Sequence, residues 1–198
     1  MTPADAALFA TQLAMGFALA ACVGLRTFLP LLAAGLLARS GYVSMGESFA
    51  WMESTPALIV FGSAVVFEFL ADKVPGLDHA LHAVEAFVKP VAATLLAASL
   101  FTNLDPLLAM TLGLVGGGAI AGTVHVARGT ARLISTGTTG GFGNPLLSFV
   151  DDGLAVFGIA FAFLVPILAA LVILIVTIMG VRFFRQRRRK LQTEPIVG

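Results

Sequence analysis

Charge is what this 198-residue chain has least of: Asp, Glu, Lys and Arg together make up only 12% of it. A soluble domain carries about 25%. Hydrophobic residues reach 58% and mean hydropathy is +0.97, which excludes a water-soluble globular enzyme and, more firmly, a disordered chain. Cysteine is almost absent as well. The single Cys22 rules out a disulfide framework or a Cys-based zinc site within one chain. No ten-residue segments alternate apolar and polar residues, so nothing encodes a transmembrane barrel. No Lys or Arg precedes the first apolar run, whereas a secretory signal wants a positive start. Leu19-Ala20-Ala21-Cys22 has lipobox spelling, yet for that reason Cys22 is expected to stay unmodified inside the first span.

What the chain does have is apolar length. Charge-free runs cover Ala6–Leu25, Thr27–Ala38, Ser54–Phe67, Pro90–Leu104, Pro106–Val124, Leu133–Val150 and Gly153–Val181. A helix of roughly 20 residues crosses a hydrocarbon core, and helices are the spanning structure left. Helix starts repeat one signature, a capping residue followed by proline: Thr2-Pro3, Thr55-Pro56, Asp105-Pro106 and Asn144-Pro145. A further start follows the Pro75-Gly76 turn, while Pro30, Pro90 and Pro166 are expected to kink or break helices. The fold class is therefore all-α, a polytopic helical membrane protein of about six transmembrane helices. Thr27–Ala38 reads as a short broken or re-entrant segment. Equal spacing of Gly16 to Arg26 and Gly118 to Arg128 gives a weak 3+3 inverted repeat.

Charge bias orients these spans. Two crossings in Pro145–Val181, divided near Pro166, put Lys73, Lys89, Arg128, Arg132 and the basic tail on one side. Arg26 and Arg39 fall on the other, beside Glu47, Glu53 and Asp105. The positive-inside rule then predicts an inner-membrane, multi-pass protein with both termini cytoplasmic. Residues 1–185 form a single integral membrane domain and 186–198 a basic cytoplasmic tail. Six of the twelve Lys and Arg residues lie between Arg182 and Lys190, a cluster suited to anionic lipids; nucleic acid is not expected as a partner.

Ionisable residues at membrane depth are costly and are the natural site candidates. Glu68 and Asp72 are four apart, on one helix face, and read either as a cation, proton or metal site or as an interfacial helix end. Asp78, His82, Glu85 and Lys89 form one stripe, the polar face of an amphipathic helix lying in the interface before turning inward at Pro90. A solvated face is the favoured reading of that stripe over a metal site. His125, Arg128 and Arg132 share a face, where guanidiniums suit phosphate or carboxylate; Arg132 is read rather as ordinary flanking charge. The Gly- and Thr-rich stretch from Ser135 to Pro145 reads as a loop leading into a helix at Asn144. Asp151 and Asp152 lie about two turns into that helix, on different faces, so at most one need enter a shared cavity. The primary site set is Glu68, Asp72, His125, Arg128, Asp151 and Asp152, expected to converge in a single cavity of the cytoplasmic half. Arg26, Lys73, Asp78, His82 and Asn144 are secondary. No metal and no cofactor is expected.

These pieces together resemble DUF4126, a family of bacterial multi-pass membrane proteins. The matching motifs are Gly24-Leu-Arg26-Thr-Phe-Leu-Pro30, Glu68-x3-Asp72-Lys73-x-Pro75-x2-Asp78, Lys89-Pro90, His125, and Thr138–Asp152 with its Gly143-Asn144-Pro145-x2-Ser148 core. Asp151 stands where the pattern has Glu, which keeps the carboxylate. The resemblance implies a small integral membrane protein and brings no activity with it.

Three functions compete. A transporter or channel-like protein leads, because broken helices and buried charges can form a pathway for a small ion or lipid-like substrate. A membrane-embedded enzyme acting on a lipid or phosphorylated headgroup would use Arg128 for phosphate and Glu68, Asp72 or His125 for protons. A structural protein would dock, or form a homo-oligomer, through glycine-rich helices such as Gly113-x3-Gly117 and Gly118-x3-Gly122.

Overall fold

Capping chemistry sets the helix starts. A computed structural model describes residues 2–72 and 77–164; side chains at 3 and 77–81 fall outside that description. Helix α1, Pro3–Leu25, opens on a capping box: Thr2 Oγ1 accepts the Asp5 N–H, and the Asp5 carboxylate accepts the Thr2 N–H. Helix α2, Phe28–Arg39, follows a two-residue break, with Pro30 in its first turn, where proline costs no helical bond. A 3₁₀ helix, Glu47–Glu53, leads to α3, Thr55–Ala71, whose cap is Ser54 rather than Thr55. Helix α4 is Leu77–Ser99. Helix α5, Pro106–Thr139, is capped by Asp105, and helix α6, Asn144–Leu164, begins at the Asn144-Pro145 pair. No strand occurs among the described residues.

Two expectations about breaks fail. Pro90 does not interrupt α4, which runs as one helix through it. Neighbouring helices can hold a proline-containing segment in place, and here α5 packs close enough for a Cβ on Gly118 to lie 3.4 Å from the Pro90 carbonyl oxygen. The Ser135–Pro145 stretch is not all loop: α5 continues to Thr139, and the turn is confined to a few residues after it. Gly140 and Gly141 adopt φ of 64° and 92°, a left-handed conformation that favours glycine and ends the helix there.

Within α5, Gly113–Gly118 forms a π-helical segment packed on α4. A Cβ on Gly113 would sit 2.5 Å from the Thr94 carbonyl oxygen, so this approach of α5 to α4 admits no side chain. Gly117 meets Ala93 and Ala97 in the same way, whereas Gly122 faces open space. Close approach therefore runs through Gly113, Gly117 and Gly118 and has ended by Gly122. Helix α1 packs against both α4 and α5, and α2 packs against α3.

Burial is inverted relative to a soluble domain. Lys89 is fully buried and Glu68 is 3% exposed, while Ile59, Phe67, Leu107, Val115, Phe157 and Phe161 face outward. Among the described residues, three helices are long and apolar enough to cross a membrane, or four if the bent pair of the 3₁₀ helix and α3 counts as one span. Over its described residues the chain is all-helical, with the apolar helices of a membrane protein. The chain divides into two units, Met1–Ala162 and Phe163–Gly198. Pro166, the second half of Pro145–Val181 and the basic tail Arg182–Lys190 lie outside the described residues, as do Lys73, the Pro75-Gly76 turn and the Asp78 side chain.

One end of the bundle gathers the start of α1, the residues after α2 and the turn after α4. Phe9 rests against Phe101, Gln12 Nε2 donates to Thr102 Oγ1 at 2.8 Å, and the Gly46 N–H donates to the Ser99 carbonyl at 2.8 Å. The chain enters α1 at that end and reaches Arg26 far from it.

Candidate functional site

The break between α1 and α2 exposes two sets of backbone groups that a continuous helix would satisfy. Charged side chains from other helices take both. Glu68 of α3 accepts the N–H groups of Thr27 and Phe28, at 2.8 and 3.2 Å, at the start of α2. Lys89 of α4 donates its ammonium to the carbonyls of Gly24 and Leu25, at 3.1 and 3.4 Å, at the end of α1. Each sign matches the helix dipole at the terminus it meets. A carboxylate in place of lipid at one terminus and an ammonium at the other make a buried break tolerable.

Asp72, just past α3, is the centre of the adjoining network. Its Oδ2 accepts from Arg26 Nη2 at 2.8 Å, and its Oδ1 accepts from Arg132 Nη2 at 2.8 Å and Arg128 Nη2 at 3.2 Å. Arg128 is engaged through all three of its nitrogens: Nε to Asp151 at 2.6 Å, Nη1 to Glu85 at 3.3 Å, Nη2 to Asp72. Glu85 also pairs with Lys89 at 2.8 Å, one turn along α4. Arg26 reaches Asp152 at 2.5 Å, and Arg132 donates to Ser148 Oγ at 2.8 Å. Four helices and the α1–α2 break thus converge on one charged cluster, which among the described residues holds five carboxylates and four cationic side chains. Mutual pairing is what makes such burial affordable, since an isolated charge at a helix centre costs about 2.5–3.5 kcal/mol on insertion scales.

Glu68, Asp72, Arg128, Asp151 and Asp152 all take part, and His125 lies beside them, stacked on His82 with ring centroids 4.2 Å apart. Four placements differ from the sequence reading. Arg26, assigned to the opposite side with Arg39, pairs with Asp72 because α1 ends at the cluster. Asp151 and Asp152 both engage, since α5 flanks α6 on one face and the α1 terminus on the other. Arg132 is 7% exposed and paired, not a flanking charge. Glu85 and Lys89 are buried members of the network rather than a solvated stripe. Asn144 stands apart: its amide donates to Thr136 Oγ1 at 3.0 Å near the α5–α6 turn. The i,i+4 spacing of Glu85 and Lys89, directly before Pro90, was the signal available for the missed pair.

A helical bundle with an apolar exterior and an ion-paired interior defines a class, the helical membrane proteins with a buried charged centre. Within it, the family model described as Domain of unknown function (DUF4126) matches residues 13–186, and the chain belongs to that family. No curated protein and no solved structure matches it.

Proposed function

We propose that this chain is a transporter or channel-like protein of the inner membrane, with the α1–α2 break as its polar site. The observation that carries the reading is the occupation of both broken helix ends by Glu68 and Lys89. Discontinuous helices place ion and substrate sites at such termini in many transporters. Here the protein's own carboxylate and ammonium stand where a passing anion or cation would bind. Reversible displacement of either one would free a binding position, so a passing ion exchanges with a charge that must itself be present. The enzyme reading loses support, because the guanidinium of Arg128 is already committed to three carboxylates.

The test is flux. Purified full-length chain is reconstituted into anionic phospholipid vesicles, and H⁺, Na⁺, K⁺ and Cl⁻ fluxes are followed with entrapped dyes. Wild type is expected to raise the flux of at least one ion above protein-free vesicles, and Glu68→Gln, checked for native helicity, to lower it at least about tenfold. A folded wild type that moves none of these ions overturns the reading in favour of a structural role.

Sidedness enters the same proposal. The end of the bundle at the cluster carries Arg26, Lys89, Arg128 and Arg132, so the positive-inside rule puts that end in the cytoplasm, where charge bias also puts the basic tail. The start of α1 then faces outward, in place of the cytoplasmic N-terminus read from charge bias. In a chain with Cys22 replaced, cysteines at Asp5 and Ser44 are expected to label from outside intact cells, and one at Gln186 only after permeabilisation. Labelling of Gln186→Cys from outside would reverse the orientation.

A further inference from the structure

Beside the ion pairs, two buried acceptor atoms have no hydrogen-bond partner: Oε1 of Glu85 and Nδ1 of His125. Their residues are 5% and 7% exposed. A buried polar atom left unpaired costs about 1–3 kcal/mol, so two in one place call for a common partner. His82 completes the group. It lies one turn before Glu85 on α4, and one ligand-capable atom from each of His82, Glu85 and His125 lies within 4.8 Å of the others. The other Glu85 oxygen is held by Lys89 and Arg128, which fixes the carboxylate. A dedicated seat exists for His82: a Cβ on Gly129, one turn beyond His125, would come 2.8 Å from His82 Nε2.

We propose that His82, Glu85 and His125 bind one divalent d-block cation of the Zn²⁺ type between α4 and α5. Two imidazole nitrogens with one carboxylate oxygen form a three-ligand set that suits zinc and its neighbours and leaves a fourth position open. Mg²⁺ and Ca²⁺ are disfavoured, because they demand oxygen ligands. The cation would satisfy Oε1 and Nδ1 together. His82, only half-buried, gives the ion its approach to two ligands that are otherwise enclosed. The proposal goes beyond the transport reading and stands without it, since it concerns the α4–α5 contact and not the helix break.

Untagged full-length chain in detergent, stripped with chelator and dialysed, is titrated with Zn²⁺ against a chromophoric chelator and separately with Co²⁺. One equivalent per chain is expected, with the visible bands of a low-coordinate Co²⁺ site. His82→Ala is expected to weaken binding at least 100-fold, beyond the roughly 10–100-fold typical for loss of an outer-shell partner. Truncating the enclosed His125 risks the fold, so the second variant is Gly129→Ala, which keeps every ligand, favours the helix and displaces the His82 ring. It should lose at least tenfold in affinity with unchanged circular dichroism. Absence of a bound equivalent in wild type, or wild-type affinity in His82→Ala, overturns the site.

Discussion

Asp72→Ala is expected to remove most of the recoverable folded protein. The Asp72 side chain is 2% exposed and accepts from Arg26, Arg128 and Arg132 at 2.8–3.2 Å. Alanine leaves three guanidiniums facing one another around a void. Removing one partner of a buried ion pair costs about 3–5 kcal/mol, against a typical total stability of about 5–15 kcal/mol. Arg128 and Arg132 keep Asp151, and Arg26 keeps Asp152, which lessens the loss without cancelling it. Asp72→Asn retains an acceptor oxygen but gives up the charge and turns an amide donor toward guanidinium, so it should fall between. Thermal melts by circular dichroism in detergent, with monodisperse yield from size exclusion, should rank wild type above Asn above Ala. A wild-type melting temperature for Asp72→Ala would mean that the network contributes nothing to the fold.

How far the sequence foretold this network depends on which residue is asked about. Glu68, Asp72, Arg128 and Asp151 stand at the ends of, or inside, runs that are otherwise apolar, and the cost of a lone charge in lipid points to pairing. Helix starts at Thr2 and Asp105 were legible because capping residue and proline act locally. Glu85 and Lys89 were not legible in the same way. A charged stripe has the same periodicity whether it faces water or a buried counter-charge, and only the position of α3 and α5 decides between them. Arg26 was misplaced because the break at Arg26-Thr27 is held by side chains 40 to 65 residues away, Glu68 and Lys89, and not by a local breaker. Pro30, the obvious candidate, lies inside α2. Tertiary contacts likewise extended α5 through a Gly- and Thr-rich stretch whose composition reads as loop.

Lys89→Met should be nearly as damaging as Asp72→Ala, and a second substitution should repair part of it. Lys89 is fully buried, at 0% exposure, and its ammonium serves two masters: the α1 carbonyls and the Glu85 carboxylate. Methionine matches its length and fills its volume, so packing is largely kept. What is lost is the donor to Gly24 and Leu25 and the nearer of the cations on Glu85, whose charge is then shared with Arg128 alone at 3.3 Å. Removing one partner of the pair costs about 3–5 kcal/mol because the other charge stays buried. Adding Glu85→Gln removes that stranded charge while keeping an oxygen for Arg128. The double variant is therefore expected to be more stable than Lys89→Met alone, by about 0.5–3 kcal/mol, the range found for coupled neighbours in double-mutant cycles. It should still fall short of wild type, because the carbonyls at the end of α1 remain without their ammonium. Melting curves of the four proteins in one detergent give the coupling energy directly. If Glu85→Gln deepens the loss caused by Lys89→Met, Glu85 is held chiefly by Arg128 and by its unpaired oxygen's partner, and the Lys89 ammonium belongs to the helix break alone.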